Sequence, residues 1–262
     1  MSAERRNDLI FEQQLSDTFG ASVAVRVFDE IDSTNNEAKR MALDGIDTPA
    51  LIVAEHQTAG RGRMGRSFYS PAQTGVYFSI LYPVRTPLGG MVSVTGAAAV
   101  AVMRAIRALT GKQTAIKWVN DLYWNGKKVS GILAEAVTVG DTTHLIIGIG
   151  VNINTVSFPA ELDGKAGSLG TQEVSRTALI AEICRELIPS LRDPYDRAWL
   201  SDYRAHSCVI GKPITWTRDA VERHGVAVGI NDDGELTVRC DGGQTEVLRT
   251  GEISVRVLHD GK

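Results

Sequence analysis

The chain has 262 residues, 43% hydrophobic and 23% charged, which allows a sizeable core and excludes a disordered chain. Its formal net charge of −3 excludes a surface that coats nucleic acid. No apolar run approaches the roughly 18 residues of a membrane span, no apolar signal region opens the chain, and the three scattered cysteines fit a reducing compartment. We therefore expect a cytoplasmic protein with neither a membrane nor a nucleic-acid partner.

The N-terminal part of the chain predicts a helix, a strand and a second helix. Residues 1–20 are loosely periodic as a helix, and residues 23–28 alternate as a strand. Thr34, with Glu37 three residues later, forms a capping box that predicts a helix ending near Gly45. On this interpretation the polar residues at the helix start are caps and carry no chemistry.

A glycine- and arginine-rich loop follows the apolar run 51–54. Its central part reads Gly60-Arg61-Gly62-Arg63-Met64-Gly65-Arg66. Glycine permits positive φ and a close approach between backbone and ligand, and guanidinium groups donate bidentate hydrogen bonds to phosphate or carboxylate. The loop is a predicted anion-binding site. The alternative is a flexible basic loop without a ligand.

The middle of the chain predicts strands around one long helix. Residues 76–82 read as a strand ended by Pro83, and residues 90–109 read as a buried helix terminated by Gly111. Further strands are predicted at 114–118, 127–135 and 144–151, with a type I′ hairpin turn at Asn125-Gly126.

The C-terminal part changes from a helical to a β-rich sequence pattern. Residues 176–203 have a helical pattern that Pro189 and Pro194 are predicted to break. Short β-rich runs separated by Gly and Asp clusters then follow at 214–217, 225–230, 236–240, 245–249 and 253–258. Runs of this length predict a small barrel. We expect two domains, residues 1–210 and residues 211–262.

Four polar clusters lie where predicted elements begin or end. They are Ser33-Thr34-Asn35, Gln57 with Gly60 to Arg63, Lys117 with Asn120-Asp121, and Asn152. Element ends are the usual location of ligand-binding groups. Each cluster also has a purely structural alternative, because a strand lysine can extend to water, an Asn-Asp pair can form a turn, and an asparagine can cap a loop.

These clusters lie within motifs that together closely resemble those of the biotin protein ligases. The motifs are Asp32-Ser33-Thr34-Asn35, Gln57 to Arg63, Lys117-Trp118-Val119-Asn120-Asp121-Leu122, Lys128 to Glu135 and Gly148-Ile149-Gly150-Val151-Asn152, while Gly251-Glu252-Ile253-Ser254 is similar to the tail of the family's C-terminal barrel. Their order and spacing match the family over roughly residues 28–155. Two positions depart from it: Val119 stands where proline is usual, and Phe68 where many members have tryptophan.

The resemblance implies an α+β fold. Its catalytic domain would be a mixed β-sheet flanked by helices, of the class II aminoacyl-tRNA synthetase-like type, followed by an SH3-like barrel. It also implies an activity: biotin and ATP, with Mg²⁺ as activator, give biotinyl-5′-adenylate, and a lysine of a biotin carboxyl carrier domain takes the biotinyl group. The acceptor carboxylase and the oligomeric state stay open.

The resemblance also assigns site residues by position. The catalytic residues are Arg61, Arg63, Lys117 and Asp121. The biotin-binding residues are Ser33, Thr34, Asn35, Gln57, Arg61, Gly62, Arg63, Lys117, Gly131 and Gly148. The residues for ATP and the adenylate are Gly60, Arg61, Arg63, Phe68, Asn120, Asp121, Lys128 and Asn152, and no metal ligand is assigned.

Two alternatives compete with this activity. One is a ligase of the same fold that activates lipoate or another carboxylate, against which the Gly-Arg loop and the Lys117 motif favour biotin. The other is a biotin-responsive transcriptional regulator. We expect the residues ahead of the first motif to be too few for a DNA-binding module, which favours the monofunctional type.

Overall fold

The computed structural model describes residues 10–84, 90–171, 174–193, 195–218, 221–249 and 256–257. The described chain contains a seven-stranded mixed sheet flanked by helices and a five-stranded antiparallel sheet near the C-terminus. This arrangement confirms the predicted α+β class.

The helices are α1 (Glu12–Phe19), α2 (Thr34–Leu43), α3 (Met91–Thr110), α4 (Arg176–Arg192) and α5 (Leu200–Ala205). The strands of the large sheet are β1 (Ala24–Ile31), β2 (Ala50–Gln57), β3 (Gly75–Val84), β4 (Ala115–Lys117), β5 (Asp121–Trp124), β6 (Lys127–Val139) and β7 (Thr142–Asn152). Those of the small sheet are β8 (Pro213–Arg218), β9 (Val221–Ile230), β10 (Leu236–Cys240), β11 (Thr245–Leu248) and β12 (Arg256–Val257).

The large sheet has the strand order β1-β2-β3-β7-β6-β5-β4. Among these pairs only β1-β2 is parallel. The other five pairs are antiparallel, including the central pair of β3 with β7. Short turns join β4 to β5, β5 to β6 and β6 to β7. Asn125 and Gly126 both have positive φ between β5 and β6, as the predicted hairpin turn requires.

Each face of the large sheet is covered by different helices. Strand side chains alternate between faces, so Ala50 and Ile52 pack with α2, whereas Leu51 and Val53 belong to the larger core with α3 and α4. The candidate site lies on the α2 face, because Asn35 of α2 sits directly over Gly148 of β7.

The small sheet has the order β11-β10-β9-β8-β12. Its first four strands match predicted ones, and of the predicted fifth strand only residues 256–257 lie within the described chain. The domain boundary predicted near residue 210 falls between α5 and β8 and stays a prediction.

Three local predictions were wrong. The helix cap is Ser33, which makes no side-chain capping bond, and Thr34 is already helical, so the capping box does not form. Pro83 pairs within β3 and does not end it. Pro189 lies inside α4, which continues to Arg192. Pro194 and residues 1–9 of the first predicted helix lie outside the described residues.

One described helix is long and apolar enough to span a membrane, contrary to the expectation from sequence. This helix is α3, with 20 residues and a mean hydropathy of 1.5 over its most apolar window. Because 78% of that window is buried inside the protein, we interpret α3 as the central helix of the larger core.

Candidate active site

A cavity of about 650 Å³ opens on the α2 face of the large sheet. It is lined by residues from α2, from the end of β2, from β3, from the Gly-Arg loop and from strands β4 to β7, with a contribution from the segment after β7. Most of the predicted site residues lie there: Ser33, Thr34, Asn35, Gln57, Arg61, Gly62, Arg63, Phe68, Lys117, Asn120, Asp121, Lys128, Gly131 and Gly148.

Three glycines of β6 and β7 form a floor without side chains. Gly131 pairs with Gly150 across the two strands, and Gly148 lies two residues along β7. A Cβ atom on Gly148 would lie 2.0 Å from Asn35 Oδ1, and one on Gly150 would lie 2.4 Å from the Phe68 ring. Asn35 and Phe68 occupy the space directly above Gly148 and Gly150, so neither position has room for a side chain.

Gly131 was predicted to bind biotin together with Gly148. In the structure its position is on the Phe68 side of the floor, since an added Cβ would lie 3.2 Å from the Phe68 ring and 3.1 Å from Lys128 Nζ. Phe68 also makes an edge contact with Tyr77, with ring centroids 6.3 Å apart.

The β3 side of the cavity holds uncharged polar side chains. Thr34 donates to Gln57 Oε1 from its backbone nitrogen at 2.9 Å and from its hydroxyl at 3.2 Å. Ser79 Oγ lies 2.6 Å from Asn35 Oδ1 and 2.7 Å from Thr34 Oγ1. Thr34 and Asn35 are buried and belong to this network, so the capping-only interpretation fails for both.

Arg61 lies beside the uncharged polar side chains of the cavity, and its own charge is paired. Its guanidinium forms an ion pair with Glu135 at 3.0 Å and donates to Asn36 Oδ1 at 3.1 Å. The loop that carries it is a small hairpin, in which Gly62 N donates to Arg66 O at 2.7 Å. Arg61 is thus held on the side of α2 and β6.

Arg63 reaches the opposite side and donates to Asn120 Oδ1 at 3.0 Å. Asn120 in turn donates to the backbone oxygen of Ile132 at 2.8 Å, which ties it to β6. Burial lowers the pKa of the Arg63 guanidinium, and the Asp121 carboxylate opposes that shift. Arginine nevertheless stays charged in proteins, so Arg63 is a partly buried fixed cation.

Two lysines complete this cationic end. Lys128 forms an ion pair with Asp121 at 2.6 Å. Lys117 lies opposite Asp121 in the backbone register of β4 and β5. Its Nζ lies 5.5 Å from the centroid of the Tyr123 ring. The Tyr123 phenol is neutral near pH 7 even at its ordinary pKa, and burial raises that pKa further to about 12. Lys117 is one of the lining residues, so this strand lysine faces the cavity.

Gly60 and Asn152 are not among the lining residues, although both lie in described segments. Gly60 packs against Phe68 O, to which an added Cβ would be 2.4 Å distant. Asn152 is buried and donates to Gly167 O at 3.1 Å, so it anchors the segment after β7. Their predicted contacts with ATP remain predictions.

Sequence reasoning missed several lining residues. Glu161 and Lys165 belong to the segment after β7, which folds back so that Lys128 bridges to Ala166. No periodicity or motif signalled that return. Arg66 lines the cavity within the recognised loop but was assigned no role. Ser79 does not line the cavity, but it contacts Thr34 and Asn35 from a mostly apolar strand and was also missed.

Comparison with known proteins places the chain in a family. A family profile described as the Biotin/lipoate A/B protein ligase family matches residues 27–152, and one described as the Biotin protein ligase C terminal domain matches residues 209–256. The bifunctional ligase/repressor BirA of Bacillus spizizenii is 36% identical over 228 residues, which cover 82% of this chain and 69% of that protein. The biotin–acetyl-CoA-carboxylase ligase of Mycobacterium tuberculosis is 32% identical over 236 residues, which cover 84% and 85%.

A solved structure is also similar. It is a variant of the biotin protein ligase from Aquifex aeolicus in complex with biotin, with a TM-score of 0.75, 25% identity, and coverage of 89% of this chain and 98% of that one. The chain thus belongs to the biotin/lipoate protein ligase family and, within it, to the biotin protein ligases.

Proposed function

We propose that the protein activates biotin with ATP and transfers the biotinyl group to a lysine of a biotin carboxyl carrier domain. The observation that supports this most directly is the division of one cavity. Its uncharged end at Asn35 suits a neutral ureido ring, which carries both donors and acceptors. Its cationic end at Arg63, Lys117 and Lys128 suits a triphosphate.

The first step joins two anions. The biotin carboxylate attacks the α-phosphorus of ATP, a carboxyl C–O–P linkage forms, the bridging P–O bond to the β-phosphate breaks, and pyrophosphate leaves. Arg63, Lys117 and Lys128 offset the repulsion between the reactants, and they are already fixed by their protein partners before the charge moves. Positioned cations are therefore the main catalytic device.

The residues present fit a magnesium ion that enters with ATP. The described chain contains no group of three or more His, Cys, Asp and Glu residues that could hold a metal by itself. Asp121 and Glu161 do line the cavity, and one or two carboxylates with substrate phosphates are the usual ligand set of Mg²⁺ in nucleotide sites. When bound, the ion supplies further neutralisation of phosphate charge.

The second step needs a neutral amine. The free lysine of the carrier has a pKa near 10.4, so only about one part in 10³ is deprotonated at pH 7. Asp121 accepts the proton, while the surrounding cations disfavour the charged amine. The C–N bond forms, the acyl C–O bond to the phosphate breaks, and AMP leaves. We place this reaction in the cytoplasm, with carriers of biotin-dependent carboxylases as protein partners and no role for nucleic acid or membrane.

Acylation of a purified carrier domain tests this function. The protein is incubated with ATP, Mg²⁺, the carrier and either biotin or lipoate, and the carrier is analysed by mass spectrometry. We expect one biotinyl group on one lysine and no comparable lipoyl transfer. Equal transfer of lipoate would assign the sibling activity instead, and no transfer of either acid would contradict the proposal.

A further inference from the structure

Glu135 is a carboxylate on β6 to which no role has been assigned, yet it contacts both Asn35 and Arg61. Asn35 Nδ2 lies 2.8 Å from Glu135 Oε2, and Arg61 Nη2 lies 3.0 Å from Oε1. One carboxylate therefore links the uncharged end of the cavity to the Gly-Arg loop. Its side chain is 31% exposed, so the isosteric amide fits without burying a new unpaired group.

The orientation of the Asn35 amide follows from this contact. An ionised carboxylate and a backbone carbonyl only accept hydrogen bonds. Glu135 Oε2 and Leu133 O both lie on the same side of Asn35, at 2.8 and 3.5 Å from Nδ2. The reversed amide would aim Oδ1 at the carboxylate, so Glu135 forces Oδ1 toward Ser79 and the space above Gly148.

The neighbouring hydroxyls leave that oxygen available to a ligand. Thr34 donates its hydroxyl proton to Gln57 Oε1, and Ser79 has a single proton within reach of both Thr34 Oγ1 and Asn35 Oδ1. Two acceptor oxygens thus share one donor. The uncharged end of the cavity has fewer hydrogen-bond donors than acceptors, and a ring bearing N–H groups supplies the missing donors.

We propose that Glu135 is a positioning residue for the activation step: it orients Asn35 Oδ1 toward an N–H group of the ureido ring and holds Arg61 of the Gly-Arg loop beside it. This inference rests on the proposed function and names a residue that does not itself touch the substrate. Recognition of the ring and placement of the loop then depend on the same carboxylate.

The test compares substrate binding by wild type, Glu135→Gln and Glu135→Asp. Calorimetry with biotin alone is expected to show about tenfold weaker binding for Glu135→Gln, because the neutral amide no longer orients Asn35 through a charge-assisted hydrogen bond. Glu135→Asp keeps the charge and is expected to recover part of the affinity. ATP binding without biotin is expected to weaken less than biotin binding, because Arg63, Lys117 and Lys128 lie at the other end of the cavity and only Arg61 is shared. A structural collapse would weaken both ligands together.

The matched control is Glu37→Gln. Glu37 lies on the same helix as Asn35 and forms an ion pair with Arg40 at 2.7 Å, outside the cavity lining. Losing that surface pair should leave biotin binding within about twofold of wild type.

A double-mutant cycle identifies the residue through which Glu135 acts. In an Asn35→Ala background, Glu135→Gln is expected to cause a much smaller loss of biotin affinity than in wild type, because the amide it orients is gone and only its contact with Arg61 remains. Additive losses would overturn the inference, as would unchanged biotin affinity in Glu135→Gln. If wild type itself fails to bind biotin, the proposed function fails; if wild type binds and Glu135→Gln binds equally, only the role of Glu135 fails.

Discussion

Trp118 Nε1 donates a 3.0 Å hydrogen bond to the backbone oxygen of Gly234, which belongs to the turn between β9 and β10 of the small sheet. Trp118 directly follows Lys117, so the C-terminal sheet contacts the strand that supplies a cation to the cavity. Arg204 of α5 reinforces the same turn by donating to Ile230 O at 2.8 Å and pairing with Asp232 at 2.7 Å. The small sheet is therefore joined to the cationic end of the site.

Trp118→Phe should weaken this connection. The replacement leaves the buried Gly234 oxygen without its indole donor, which costs about 1–3 kcal/mol of unfolding free energy. Because Lys117 loses its support, biotin-dependent pyrophosphate release should also slow. Urea unfolding and a pyrophosphate assay measure the two effects.

Trp216→Phe is the matched control for that variant. Trp216 is 1% exposed, and its Nε1 makes no hydrogen bond within the described part of the chain. The replacement removes similar volume without removing a hydrogen bond. A Trp216→Phe enzyme as slow as Trp118→Phe would show that the bond to Gly234 does not support the site.

The glycine floor predicts a separation between the two substrates. Gly148→Ala places a Cβ 2.0 Å from Asn35 Oδ1, and Gly150→Ala places one 2.4 Å from the Phe68 ring. The first variant should bind biotin about tenfold or more weakly, equivalent to about 1.4 kcal/mol. The second should raise the KM for ATP by a similar factor, since Phe68 is among the residues predicted to bind ATP and its ring can stack on a nucleobase.

Gly229→Ala is the control for both variants, because no atom lies within 4 Å of the added Cβ. Titration with each substrate separately distinguishes the two ends of the cavity. The assignment of the ends is wrong if Gly148→Ala affects ATP alone or Gly150→Ala affects biotin alone.

The buried ion pair between Arg176 and Glu55 should stabilise the junction of α4 with the large sheet. The two side chains are 2% and 9% exposed and lie 2.6 Å apart, and Glu55 Oε1 also accepts from Ile10 N at 2.9 Å. Arg176→Met leaves a buried carboxylate without its cation, so we expect a loss of about 3–5 kcal/mol in urea unfolding.

Arg185→Met on the same helix provides the comparison. Arg185 is exposed and pairs with Glu182 one helical turn away, so its loss should cost less than about 1 kcal/mol. Similar losses for the two variants would mean that burial adds nothing to the Arg176 pair. The double variant Glu55→Leu with Arg176→Met should recover much of the stability, since it leaves no unpaired buried charge.

Asp121→Asn separates the two half-reactions. If Asp121 takes the proton of the carrier lysine, the variant should slow transfer from preformed adenylate by about 10²-fold or more, a typical contribution of a general base. Formation of the adenylate should slow less, although Lys128 loses its 2.6 Å partner. Rapid-quench measurement of each step decides, and equal losses in both steps would rule out the proton-acceptor role.

Most of the site could be predicted from sequence because its motifs are local. The Gly-Arg loop, Lys117 and the paired glycines of β6 and β7 each lie within a few residues of a recognisable strand end. Spacing along a strand also fixes which residues share a face, so Gly148 and Gly150 of β7 both line the cavity.

The remainder depends on contacts between distant segments. Glu135 meets Arg61 across 74 residues, and Trp118 meets Gly234 across 116, so neither pair leaves a local pattern in the sequence. The capping box failed for a related reason: Thr34 matches the cap signature, but tertiary partners Gln57 and Ser79 engage its side chain instead. Local propensity was overridden by a network that only the folded sheet brings together.

Release of pyrophosphate from ATP in the presence of biotin and Mg²⁺, without an acceptor protein, tests the central claim most directly. That claim is that the cations at Arg63, Lys117 and Lys128 allow the biotin carboxylate to meet the α-phosphate. We predict a biotin-dependent burst that is absent with lipoate and strongly reduced by Lys117→Gln. Pyrophosphate release that is independent of biotin, or an undiminished burst in Lys117→Gln, would contradict the account.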